Sequence, residues 1–304
     1  MGRTSADGGR TTAPDDGRSD WQRRIAGTWH GLPAVFEPDG THLGFVRVDR
    51  TVQQQANGDP EIVVHNTLDF DGAVGHRIGA HELVLRAVDT SLGRVYDGRD
   101  FHGAGRPFGR LLVGRDFITE WNLDTVVAVQ VMPDGVSQLY SNLAYQGPRL
   151  VAALGGLYVM DPDDPDAYRA AERRDGPVPF AWSDGVWEGE VEVHDGTDGR
   201  TVPMTVSVAG STLTFEGGGL ERAVTARAVL DGNDQYYDGP DVFGNATAYG
   251  RMLHGTRHVR GTPLRLETRE VLLHGGRSLA VAWQHWLLGD RTLVVNGVLD
   301  KKEG

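Results

Sequence analysis

The chain contains no cysteine, which excludes disulfides, thiolate metal sites and cysteine nucleophiles. The lack of bridges points away from a secreted domain. No run approaches the roughly 20 apolar residues that a membrane-spanning helix needs. The first twenty residues, Met1 to Asp20, hold no apolar stretch of signal-peptide type. The expectation is a soluble, cytoplasmic protein without membrane insertion. Basic residues are in the minority, 30 Lys and Arg against 42 Asp and Glu, for a formal charge of −12. With no basic stripe, a nucleic-acid partner is not expected. Also missing are a Gly-x-Gly-x-x-Gly turn, a Walker loop and a Gly-x-Ser-x-Gly elbow, so no cofactor is nominated. The eleven histidines show no His-x-His or His-Glu-x-x-His spacing, and no metal is assigned.

What the chain does have is a long repeat. Val95 to Leu112, VYDGRDFHGAGRPFGRLL, returns as YYDGPDVFGNATAYGRML from Tyr236 to Leu253, with eight of eighteen positions identical. They are Tyr96/Tyr237, Asp97/Asp238, Gly98/Gly239, Asp100/Asp241, Gly103/Gly244, Gly109/Gly250, Arg110/Arg251 and Leu112/Leu253. Such identity predicts two copies of one module, and 304 residues are enough for each to bury its own core. Both modules open alike, at Gly27-Thr28-Trp29-His30-Gly31 and Gly185-Val186-Trp187-Glu188-Gly189.

Between them, Met160-Asp161-Pro162-Asp163-Asp164-Pro165-Asp166 is acidic and Pro-rich, and Arg169 to Pro179 is mostly polar. The expected organisation is a disordered tail over 1–20, a first module over 21–161, a linker over 162–180 and a second module over 181–304. Trp21 to Ile25 reads as a short helix or turn, and protease is expected to cut the tail and the linker first. Forty-two glycines and only 14 prolines suit many tight connections. The short apolar runs between them read as strands, among them Glu61 to His65, Glu82 to Arg86, Val202 to Val208 and Arg291 to Val295. Trp121, Leu123, Thr125, Val127, Val129 and Val131 occupy one parity and Glu120, Asn122, Asp124 and Gln130 the other, a period of two. So many antiparallel strands must close or leave exposed edges, which favours an all-β chain of two sequential antiparallel β-barrels.

The Trp-x-Gly openings, the all-β meander and the duplication together resemble the calycin superfamily, and among it proteins with two lipocalin-like barrels in one chain. The resemblance implies a ligand-sized lumen. It implies either a carrier for a hydrophobic small molecule or an enzyme that hydrates, isomerises or cyclises an apolar metabolite of natural-product biosynthesis. It transfers no catalytic residue, and it leaves a homo-oligomer open.

Polar residues on apolar strand faces are the candidates for chemistry. The even parity of Leu264 to Leu272 places Glu270 inside, and the odd parity of Leu279 to Leu287 places Trp283 and His285 beside it. A carboxylate and an imidazole in one apolar cavity serve as acid and base, so Glu270 and His285 are the catalytic candidates, with Trp283 shaping the pocket. The structural alternative is a Glu–His pair that ties neighbouring strands. In the first module Trp121, Tyr140 and Asn142 are candidate ligand contacts, with Tyr145 on the opposite face. Asp97, Asp100, Asp238 and Asp241 of the repeated Tyr-Asp-Gly-x-Asp are secondary candidates, although Asp and Gly also build turns. Arg110 and Arg251 are expected to pair with those aspartates. The function expected is a cofactor-independent acid/base isomerase or cyclase, with a non-catalytic carrier as the alternative.

Overall fold

The computed structural model describes residues 19–54, 62–76, 80–90, 93–196 and 198–302. They form two sequential antiparallel β-barrels, as the repeat and the strand periodicity require. In the first, Gly27–Gly31 and Ala34–Phe36 lie end to end between Arg149–Met160 and His42–Gln54, so one interrupted strand closes the ring. The remaining strands follow in chain order, each paired with the next. The second barrel closes in the same way when Gly185–Asp195 pairs with Asp290–Lys301. Closure removes the free edges that a meander of this length would otherwise expose.

The opening tryptophans explain why each barrel starts where it does. Trp29 and Trp187 are fully buried, and each indole N–H donates to a backbone carbonyl, that of Ile25 at 2.8 Å and that of Gly276 at 3.1 Å. A buried indole needs such an acceptor, so each Trp fixes its strand against a neighbouring turn. The helix Asp20–Ile25 precedes the first of them. Ser19 and Gln22 form a reciprocal capping box at its start, and Trp21 and Ile25 turn inward to cover one end of the first barrel. The proposed tail over 1–20 lies outside the described residues, except for Ser19 and Asp20, which begin this helix.

The segment expected to be a linker is folded. Asp164 caps a helix over Pro165–Asp175, with Pro165 in its first turn. Arg169 and Glu172 on this helix are buried. Arg169 bonds Asp49 of the first barrel, and Glu172 bonds Arg251 of the second. The Pro and Asp residues that look like a linker in the sequence are the start signals of a helix that straps the barrels together.

An apolar interface underlies the strap. Phe36, Phe45, Leu139, Leu143 and Ala153 of the first barrel pack with Tyr249, Met252, Val271, Leu273 and Ala280 of the second. Polar contacts also cross it: Gln130 Nε2 donates to the Gly297 carbonyl at 3.0 Å, and Asn296 Nδ2 donates to that of Phe108 at 3.2 Å. This contact explains why Leu264–Leu273 is buried on both faces, where simple alternation predicts one. None of the helices among the described residues is long and apolar enough to cross a membrane.

Candidate functional site

A cavity of about 210 Å³ lies in the first barrel. Most of its wall is aliphatic, including Val48, Val64, Leu85, Leu112 and Val127, and Trp21 and Trp121 contribute indoles. The parity read from Leu123, Thr125, Val127 and Val129 turns all four toward this space. Tyr140 and Asn142 line it as well, and Asn142 Nδ2 donates to the Tyr140 hydroxyl at 2.9 Å. Tyr145 sits after a bulge, on the opposite side, next to the second barrel.

Two charged residues face the cavity from strands far apart around the ring. Arg50, on His42–Gln54, donates from Nε to Asn66 Oδ1 at 2.7 Å. Its guanidinium lies over the Tyr158 ring at 4.9 Å and the Tyr140 ring at 5.5 Å, and these two rings are stacked. Asp116 is on Leu111–Ile118, five strands further on in the ring. It is buried, and Oδ1 meets no hydrogen-bond donor among the described residues. Burial pushes its carboxyl up to about 7, with Arg50 pulling in the opposite direction. An acid raised by desolvation in an apolar cavity is poised to gain and lose a proton near neutral pH.

Arg94 is fully buried and holds Asp89 through Nε at 2.6 Å and Nη2 at 3.0 Å. Burial pushes the hydroxyls of Tyr96, Tyr140 and Tyr158 upward, so they stay neutral donors. Among the described residues, polar atoms still lacking partners cluster at the same cavity: Thr125 Oγ1, Gln138 Nε2, Asn142 Oδ1, Trp21 Nε1 and Arg94 Nη1. Buried polar atoms are costly unless something satisfies them. A ligand or water inside the lumen would do so.

The second barrel uses its lumen differently. Glu270 and His285 both face inward and are buried, as their parity predicts. The structure does not bring them together. Glu270 is opposite Val281 and His285 opposite Leu266, four residues apart along the strands and so about 13 Å at the usual strand rise. Glu270 instead accepts from Arg257 Nη1 and, at 2.9 Å, from Trp283 Nε1. Arg257 also reaches the Tyr237 hydroxyl at 3.0 Å. Trp283 packs edge-on against Phe215, inside a continuous apolar core. It fills the lumen rather than shaping a pocket there. His285 has no partner at Nε2 among the described residues, and burial pushes its imidazole down to about 4. Neither the acid/base pair nor the Glu–His tie expected from the sequence forms.

Register explains the contrast. Tyr96 opposite Gly103 matches Tyr237 opposite Gly244, and the ladders stay aligned from there. Asp116 thus corresponds to Arg257, Val129 to Glu270 and Asn142 to Trp283. Counting from the opening tryptophans, Arg50 corresponds to Val206 and Asn66 to Phe215. At two lumen positions the first barrel carries asparagine where the second carries Trp or Phe. The smaller side chains leave a space that the aromatic rings fill. Extending the repeat alignment past Leu112 and Leu253 would have nominated Asp116 from the sequence.

The secondary candidates serve turns. Asp238 bonds Arg260 at 2.8 Å, and Asp241 bonds Arg222 at 2.6 Å and the Thr225 N–H at 3.0 Å. Asp97 lies beside His102 at the surface, and the Asp100 carbonyl accepts from the Thr119 N–H at 3.1 Å. The expected pairing of Arg110 and Arg251 with these aspartates is not formed. Arg110 meets Glu192 across the barrel interface and Arg251 meets Glu172 of the strap. Both arginines follow a glycine with positive φ, Gly109 and Gly250, so the turn aims them outward rather than back along the hairpin. Among the described residues no group of three or more His, Asp or Glu is arranged to hold a metal.

No protein-family model matches the chain, and no curated protein matches it. Among solved structures, the chain is similar to a protein of unknown function from the DUF3598 family of Nostoc punctiforme. That likeness has 13% identity and a TM-score of 0.58, over 93% of this chain and 99% of the other. The S-type phycobiliprotein lyase of Guillardia theta is also 13% identical, over 47% of this chain and 92% of its own, with a TM-score of 0.37. At such identities the first likeness is one of fold alone, that of two sequential closed antiparallel barrels.

Proposed function

We propose that the protein takes a compact, largely apolar metabolite into the first barrel and moves a proton on it through Asp116, as a cofactor-independent isomerase or cyclase. The observation that carries this reading is a buried carboxyl, without a hydrogen-bond donor at Oδ1, on the wall of an apolar cavity. Such an acid, protonated at rest, can give its proton to one carbon of a bound molecule and take one back from another, with no redox change. The second barrel supports the fold through its Arg257–Glu270–Trp283 core. The cavity is smaller than the roughly 300–1,000 Å³ of drug-sized ligand pockets, which restricts the substrate to a small molecule.

The test is isotope exchange in D₂O. Metabolites extracted from the producing cells are incubated with the full chain, and deuterium in the recovered molecules is read by mass spectrometry. The substrate should acquire non-exchangeable deuterium with the native protein. The rate should fall roughly 10²–10⁴-fold with Asp116→Asn, while Glu270→Gln and His285→Ala variants that remain folded keep it. A ligand that binds and leaves unlabelled would make the protein a carrier.

A further inference from the structure

Arg50 gives the ligand a chemical class. Its Nε edge is taken by Asn66 and its face by the rings of Tyr140 and Tyr158. No carboxylate of a described residue pairs with it, whereas Arg94, Arg169 and Arg257 each have one. Guanidinium does not shed its charge in a protein. Arg50 is partly buried, and the part of its charge that faces the apolar lumen without a counterion is costly to hold there. The equivalent position in the filled barrel is Val206, so the fold itself does not need an arginine here.

We propose that the first barrel binds a compact apolar carboxylic acid as its carboxylate, held by the free edge of the Arg50 guanidinium opposite Asp116. This rests on the reading of that cavity as the ligand site. A guanidinium already oriented by one hydrogen bond and two rings presents a planar fork, the geometry that suits a carboxylate. The opposite wall does not repel the anion while Asp116 carries its proton. The other ionisable groups facing the space are the neutral tyrosines and Arg94, which pairs with Asp89 through Nε and Nη2 and keeps Nη1 without a partner among the described residues. The aliphatic wall takes the remainder of the molecule.

The test uses octanoate and octan-1-ol, which share a chain and differ in charge, titrated calorimetrically into the full protein at neutral pH. Octanoate should bind the native protein at least about ten-fold more tightly, the worth of one charge-assisted hydrogen bond. Arg50→Gln should abolish that preference while leaving octan-1-ol binding unchanged, and Arg50→Lys should restore part of it. Asn142→Trp places the second barrel's indole in the first lumen and should abolish binding of both probes. An octanoate preference that survives in folded Arg50→Gln overturns the anchor but leaves the cavity reading intact. Binding of both probes undiminished in folded Asn142→Trp overturns the cavity reading itself. Failure of the native protein to bind octanoate overturns the proposal.

Discussion

At the scale of single residues, the two barrels show opposite treatments of a buried charge. Arg257 and Glu270 neutralise each other, with Trp283 and Tyr237 supplying further hydrogen bonds. Removing one member leaves the other charged and unpaired, which typically costs 3–5 kcal/mol. Glu270→Ala should therefore lower the unfolding free energy from urea titration by that order, yet leave ligand affinity in the first barrel unchanged for the protein that stays folded. Asp116 is the reverse case. Below about pH 4 it is protonated in both folded and unfolded chains and contributes nothing. As pH rises toward 7 the unfolded chain releases the proton and the folded one retains it, so stability falls. Above 7 the penalty is complete. Asp116→Asn should accordingly raise the melting temperature at pH 8, by the equivalent of on the order of 1–4 kcal/mol, and leave it nearly unchanged at pH 4. A variant equally stabilised at both pH values would show that the carboxyl is not held neutral by burial.

At the scale of elements, strands were legible and their surroundings were not. Period two in Leu123 to Val131 and in Leu264 to Leu272 correctly turned Val127 and Glu270 inward. Periodicity cannot say how full a lumen is, because that depends on side-chain volumes from strands distant in sequence. Phe215 and Asn66 settle it for the two barrels, and neither lies within the recognisable repeat. The strap helix is hidden in the sequence for a related reason. Asp164 and Pro165 carry the same residue types as a linker, and only the burial of Arg169 and Glu172 distinguishes the two. The N-terminal helix has a testable part. Ser19 accepts from the Gln22 N–H at 3.1 Å and donates to Asp89 at 2.5 Å, beside Arg94. Ser19→Ala removes the cap and should cost about 1 kcal/mol. Because Trp21 and Ile25 cover the cavity from this helix, octanoate should leave the variant faster than the native protein in stopped-flow release. An unchanged release rate would show that the helix is no barrier to exit.

At the scale of the whole molecule, duplication does not mean independence. The barrels bury Phe36, Phe45 and Leu143 against Met252, Val271 and Leu273, and the strap is tied to both by partly buried ion pairs. Separating them would expose this apolar surface at roughly 25 cal/mol per Å² and strand Arg251, Glu172 and Gln130 without their partners. Domains joined by a large apolar interface do not behave as loosely linked units. Heating the full chain should therefore give one cooperative transition, seen together by fluorescence and by far-ultraviolet dichroism. Limited trypsin digestion should spare Arg169, Arg173 and Arg174 until that transition, contrary to what the polar composition of 162–180 suggests. Glu172→Ala frees Arg251 and the Leu157 N–H that the carboxylate accepts from at 3.2 Å. In that variant, cleavage at Arg173 and Arg174 should begin well below the melting temperature. Two separate transitions in the native chain, or early cleavage there that releases two stable halves, would show that the strap and interface do not couple the barrels.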